Sequence, residues 1–376
     1  MKKTAVSSTV IIGAGILGVS TGLELARRGV RVTIVNDGPA ANGASGRSLS
    51  WLNSSRMRSA PYHRLRMAGV DRYRTLAARL PDVDWLRFDG GLTWDEDGPD
   101  NAIEDVYQYE VSIGYDARLL PPDAVAAVTP GIDTGAIAKQ GAIFNPGEGW
   151  VDLPILIGVL LEEFAALGGE LVKDQGAAKV LVENGRAIGA VTTSGKRFEA
   201  DAVVLATGPA VPAMAAEAGQ TIEDGTPVAL LIQTKPLEHP LRAVLNTPRV
   251  ALRPAPGGAI SLDADWAADE GVTVREDGTY EIAPAVVDAL LAEASSVMAG
   301  NPKLEVASIG AGGKPIPGDG EPVIGAMKAV PGCYAAFSHS GATIGLVAGE
   351  LLSYEIATGR EHPMLATFRP DRFSEE

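Results

Sequence analysis

A strand, a glycine turn and a helix open this chain in an order that few folds accommodate. Residues 9–12 form a short β-branched run of the kind that makes a buried strand, and Gly13-Ala14-Gly15-Ile16-Leu17-Gly18 follows it at once. A helix is predicted over residues 16–28, stopping at Gly29, with a second buried strand over 30–35. In this setting each glycine has a task. Gly13 permits the tight turn, Gly15 lets a pyrophosphate approach the backbone, and Gly18 lets the helix pack closely on the strand. The free N–H groups and positive dipole end at Ile16 and Leu17 are then offered to phosphate. The glycine pattern alone is weak, and the complete strand–turn–helix–strand context is what makes it specific for a dinucleotide. An acid usually ends the second strand and holds the ribose hydroxyls. Here Asn36 stands in that position with Asp37 next, and no Arg or Lys follows at once, which disfavours a ribose phosphate.

The remaining chain, 376 residues in all, is long enough for two domains with real cores. Helices are predicted over residues 65–80, 153–167 and 284–298, and strands over 170–172, 178–182, 187–193, 202–206 and 332–337. Turns and acids dominate residues 81–130, and strands broken by prolines run from 226 to 262. Strand–helix units at both ends with a β-rich insert imply an α/β architecture: a discontinuous Rossmann-like nucleotide-binding domain with an inserted α+β substrate domain carrying a mixed or antiparallel sheet. The boundaries expected are 1–84, 146–220 and 305–376 for the first domain, and 85–145 with 221–304 for the second. A net charge of -15 argues against nucleic acid and anionic membranes as partners. The single cysteine, Cys333, excludes a disulfide framework and a Cys-cluster metal site and fits the reducing cytoplasm, where we place the protein. Met1-Lys2-Lys3 has the charge of a signal peptide start, but the apolar run after it is broken by glycines and no cleavage site follows. No stretch is long and apolar enough to span a membrane.

Several separated stretches carry a family likeness. Beside the fingerprint through Asp37 these are Gly43-Ala44-Ser45-Gly46-Arg47-Ser48-Leu49-Ser50-Trp51-Leu52-Asn53, then Ala206-Thr207-Gly208, then Gly313-Lys314-Pro315-Ile316-Pro317-Gly318-Asp319-Gly320-Glu321-Pro322-Val323-Ile324-Gly325, and finally Phe337-Ser338-His339-Ser340-Gly341-Ala342-Thr343-Ile344-Gly345. Together they resemble the D-amino-acid oxidase/dehydrogenase superfamily, which includes glycine oxidase and sarcosine oxidase, over nearly the whole chain. The resemblance implies non-covalent FAD. Ala44, Ser45, Arg47 and Ser48 would meet phosphate, and Ser50 and Trp51 would border the isoalloxazine. Ala178 would meet adenine, and Ala206, Thr207 and Gly208 form a second glycine turn near the dinucleotide. Asp319, Gly320 and Ile324 belong to the family's Asp-Gly and Pro-x-Ile-Gly pattern. Ser340, Gly341, Ala342, Thr343 and Ile344 would aim a helix N-terminus at the pyrimidine end of the flavin, stabilising charge that builds up there on reduction.

The reaction so implied is oxidation of the C–N bond of a small amine or amino acid by hydride transfer to flavin N5, giving an imine that hydrolyses, with oxygen or a carrier as electron acceptor. Oxidation of a 2-hydroxy acid, or a flavin-bearing subunit active only with a partner, are the alternatives. An α-carboxylate needs a cation, best an arginine fork. Arg56, Arg58, Arg64 and Arg66 follow the flavin loop, with Arg56 nearest to it, and Arg253 ends a strand expected to roof the pocket. Lys314 replaces the Arg that glycine-oxidase-like members place before Pro, and Thr343 replaces the Lys of sarcosine-oxidase-like members. His339 is a candidate base, and Asp263 and Asp265 are candidates for binding an ammonium.

Overall fold

The structure, a computed structural model, describes residues 6–373. Met1-Lys2-Lys3 therefore lies outside the described residues. Five parallel strands and one antiparallel edge strand make the first sheet, in the order Val323–Ala326, Cys333–Phe337, Ala202–Leu205, Ser8–Ile12, Arg31–Asn36 and Glu170–Lys173. The central strands are buried end to end, as the apolar runs require of a sheet covered on both faces. Strands from both ends of the sequence meet at its middle. Ile11 pairs with Val204 and with Ile34, and Val204 pairs with Tyr334.

Helices Ile16–Arg27, Ala60–Arg79, Leu153–Ala166 and Gly341–Thr358 belong to this half. The first and last of them touch through glycine. A Cβ on Gly349 would lie 2.5 Å from the carbonyl carbon of Ser20, and one on Gly345 would lie 2.5 Å from Ile16 Cγ1. Both helices can therefore bring their N-termini to the same side of the sheet. The second helix begins earlier than its apolar periodicity predicts, at Ala60. Its first turn is polar and is set by the cap instead: the Ser59 hydroxyl accepts from the Tyr62 amide at 3.2 Å.

The second large sheet has eight strands, in the order Val306–Gly313, Val228–Thr234, Ile260–Asp263, Ala251–Pro254, Val244–Asn246, Gly91–Thr93, Ala142–Asn145 and Arg118–Leu120. It is antiparallel except where Val244–Asn246 runs parallel to Gly91–Thr93. It has its own core, with Leu92, Ile232, Leu245, Leu252, Leu262 and Leu290 fully buried. Among the described residues no helix is long and apolar enough to cross a membrane.

Candidate active site

The first turn is built as its glycines demand. Gly13 sits at φ 111°, and a Cβ there would strike the Ala206 carbonyl of the neighbouring strand end. The amide of Gly13 donates to Val35 O at 2.9 Å, and that of Ala14 donates to Asn36 Oδ1 at 2.9 Å. Asn36 in turn donates through Nδ2 to the carbonyls of Gly38 and Pro39 at 3.0 and 2.8 Å. This gives the departure from an acid a physical reason, since a carboxylate could accept from Ala14 but could not donate to those carbonyls. Asp37 is left facing the cleft.

A cavity of about 500 Å³ runs from this turn across both sheets. At one end Gly15, Ile16, Asp37, Ser45, Arg47 and Ser48 line it, and Ala178 and Ala206 to Gly208 close that end from the next strands. Ser45 Oγ accepts from the Ile16 amide at 3.1 Å, which docks the 44–46 turn onto the helix N-terminus. Arg47 donates to Asn42 O at 2.7 Å, while its Nε is buried without a hydrogen-bond partner. Its stem lies over Gly310 and Gly312, where a Cβ would come within 2.9 Å of it.

At the other end stand Trp51, Asn53, Arg58, Arg66, Asp263, Lys314 and His339, with Ser340, Gly341, Ala342 and Thr343 opening the last helix. Thr343 Oγ1 donates to Trp51 O at 3.0 Å and so ties that helix to the loop. Arg66 is buried and committed to neutral partners. It donates to Asn53 O at 2.8 Å, to Asn53 Oδ1 at 2.7 Å, and to Ser340 Oγ. Lys314 pairs with Asp265 at 2.9 Å; burial opposes its charge, but Asp263 and Asp265 hold its pKa above the ordinary lysine value. His339 opens onto the cavity. Enclosure within the cleft pushes its pKa down to about 4, with Lys314, Arg66 and Arg58 adding to the effect and Asp265 opposing it, so the imidazole is neutral at pH 7.

Six residues singled out from sequence lie elsewhere. Arg56, at φ 63°, turns its guanidinium to Asp95 at 2.5 Å and its amide to Glu110 at 2.7 Å. Arg58, two residues on, takes the place at the cleft foreseen for Arg56. Arg253 is buried under Trp150, 4.7 Å from the ring, and donates to the carbonyls of Leu49 and Pro254 instead of roofing the pocket. Asp319 is paired with Arg372 at 2.7 and 2.9 Å, and Gly320 lies in the same exposed turn. Ile324 and Ile344 are fully buried core residues, whereas Gly18 packs against the Gly13 carbonyl, the close approach its place in the turn calls for. Glu148 carried no signal in the sequence. It is buried behind the loop and accepts from Trp51 Nε1 at 2.8 Å and from the Tyr115 hydroxyl at 2.6 Å.

Two helix N-termini, neither capped by the side chain of its own N-cap residue (Gly15 and Ser340), thus line one cleft between two sheets. N–H donors at one end suit a diphosphate, and N–H donors with cations at the other suit an electron-accepting ring that gains negative charge. The residues present fit a flavin dinucleotide. The family model "FAD dependent oxidoreductase" matches residues 8–355, and the chain belongs to that family. Curated relatives include an uncharacterized oxidoreductase of Bacillus subtilis, 30% identical over 214 residues (54% of this chain, 55% of the relative). A glycine oxidase of Geobacillus kaustophilus is 27% identical over 221 residues (56% and 57%). The chain thus spans only about half the length of the curated relatives it matches. Among solved structures, glycine oxidase from Geobacillus kaustophilus superposes with a TM-score of 0.81 at 23% identity, covering 98% of this chain and 99% of that one. L-amino acid deaminase from Proteus myxofaciens gives 0.83 at 18% identity, covering 100% and 95%. Likeness at that identity establishes the fold. Cys333 is fully buried in its strand, and burial pushes its thiol up to about 12, which fits a cofactor held without a covalent bond.

Proposed function

We propose that this protein oxidises the C–N bond of a small amino acid, giving an imine that water hydrolyses to a carbonyl compound and the free amine. FAD, when bound, supplies the two-electron acceptor. The observation that carries the reading is Arg58. Arg58 lines the cleft, its Nε is buried without a hydrogen-bond partner, and among the described residues no carboxylate forms an ion pair with it. Burial, and the Arg66 cation beside it, lower its pKa to about 10. A buried cation with no ion-pair partner calls for an anion, and the arginine fork suits a carboxylate.

The chain's other residues have roles consistent with this. The helix start at Ile16, with Ser45, Arg47 and Ser48, would hold the diphosphate, and Asp37 the ribose. The start of the last helix would face the ring. Arg66 fixes Asn53 and Ser340 and contributes positive charge to the carboxylate subsite. His339 is neutral and so neither competes for the carboxylate nor repels an ammonium. The relatives bear names of amino-acid enzymes, among them glycine oxidase and an iminodiacetate oxidase from a Chelativorans species.

The test is an anaerobic panel on the FAD-loaded protein, comprising glycine, sarcosine, D- and L-amino acids, simple amines and 2-hydroxy acids, followed by loss of the flavin absorbance. Bleaching by amino acids and not by amines that lack a carboxylate is expected. Bleaching by 2-hydroxy acids alone would overturn the reading.

A further inference from the structure

We propose that Asp263 is the proton acceptor of this site: its carboxylate meets the substrate's ammonium and takes one proton from it, leaving the neutral amine whose C–N bond is then oxidised. The inference rests on the amino-acid reading above and adds to it the group that prepares the nitrogen. In the step an N–H bond of the ammonium breaks, an O–H bond forms on Asp263, and the electron pair stays on nitrogen. Nothing is oxidised or reduced, and the proton passes on to water.

Placement is the first argument. Asp263 ends the strand Ile260–Asp263, between Leu231 and Ala251 of the adjoining strands, and is half-buried on the cleft wall. Among the described residues two acids line the cleft, and the other, Asp37, stands at the glycine-turn end. Availability is the second. Among the described residues no donor is hydrogen-bonded to the Asp263 carboxylate, whereas Asp265 is exposed and already holds Lys314.

Elimination of the other bases is the third. Lys314 is protonated. His339, with a pKa of about 4, is too weak a base to take a proton from an ammonium at neutral pH. The charged groups facing Asp263 are Lys314, Asp265 and Arg253 from the elements packed against it, and Arg58, Arg66 and His339 share the same end of the cleft. Burial raises Asp263 to about 6, Lys314 and Arg253 pull it down, and Asp265 pushes it up. That value leaves it ionised, and a stronger base than an ordinary aspartate, at neutral pH. Asp263 and Arg58 line the same cleft and so offer it one pole for each end of a zwitterion.

The experiment compares the FAD-loaded wild type with D263N and D263E. Anaerobic flavin reduction is followed between pH 5 and 9 with the panel amino acid that reduces the wild-type flavin fastest, and acetate binding is followed by its perturbation of the flavin spectrum. Wild type is expected to show reduction that rises through an ionisation near pH 6. D263N is expected to lose that limb and to reduce roughly 100-fold more slowly at pH 7, the usual scale for removing a general base. Its acetate affinity should stay within threefold of wild type, because acetate needs only the cationic pole. D263E is expected to keep the pH limb at a shifted position, a rescue that a purely structural role would not give. D263N that reduces within threefold of wild type with the same pH limb overturns the inference alone. A wild-type flavin that no amino acid reduces overturns the amino-acid reading and this inference together.

Discussion

Replacing Arg58 by methionine should make the protein both worse at binding a carboxylate and harder to unfold. The side chain keeps a similar apolar length, so the change is one of charge. Burial and the Arg66 cation lower the Arg58 guanidinium to about 10. At roughly 1.4 kcal/mol per pKa unit, holding that charge costs the folded chain about 3 kcal/mol. Partial exposure to solvent reduces this to about 1–3 kcal/mol. The stacking of Arg58 over Tyr62 at 5.7 Å offsets about 0.5–1 kcal/mol of it. A net gain of up to about 2 kcal/mol remains, which for a chain of this size is a rise in Tm of at most roughly 3 °C. Loss of the charge-assisted hydrogen bonds should cost a bound carboxylate about 2–3 kcal/mol, so acetate should bind roughly 30- to 150-fold more weakly. Thermal unfolding of the FAD-loaded protein and acetate titration of the flavin spectrum measure the two effects. A fall in Tm together with unchanged acetate affinity would refute the view of Arg58 as an unpaired cation awaiting an anion.

Other outcomes follow from the same geometry. Gly13→Ala forces a Cβ into the Ala206 carbonyl at a left-handed φ and should cost about 2–4 kcal/mol of stability, with loss of bound flavin measurable by absorbance. Burial raises Glu148 to about 8, so the unfolded chain ionises first and stability falls as pH rises from the ordinary glutamate range through 8. Glu148→Gln should flatten that fall, and Tm measured from pH 5 to 9 will show whether it does. His339→Gln should leave the pH profile of flavin reduction between pH 6 and 9 unchanged, because the imidazole is already neutral there. Cys333→Ala should leave the flavin content unaltered, with all flavin released on denaturation.

Much of the nucleotide end was legible in the sequence because local rules decide it. The strand over residues 9–12, the glycine turn and the helix that follows each satisfy a periodicity or a steric requirement within a dozen residues, and the structure places them within a residue or two of expectation. The return of the last helix to the same cleft could be read from Ser340 to Thr343 only through a family likeness. The physical cause, glycine contact between Gly345, Gly349 and the first helix, is long-range and has no local signature. Reading Arg56 as the residue at the cleft followed distance along the chain. The backbone there is left-handed, which sends Arg56 to Asp95 and Arg58 to the cavity, and proximity in sequence does not report φ. Glu148 escaped notice because a lone buried carboxylate is defined by its partners, Trp51 and Tyr115, which lie 97 and 33 residues away. Arg253 and Asp319 were similarly displaced by tertiary partners, a carbonyl pair and Arg372 respectively.

The convergence of two helix starts on a single dinucleotide is tested most directly by the flavin content of the purified protein. Acid denaturation followed by chromatography of the supernatant should release one FAD per chain, with no flavin left on the polypeptide. A colourless protein that takes up no FAD on incubation would contradict that convergence, whatever its relatives do.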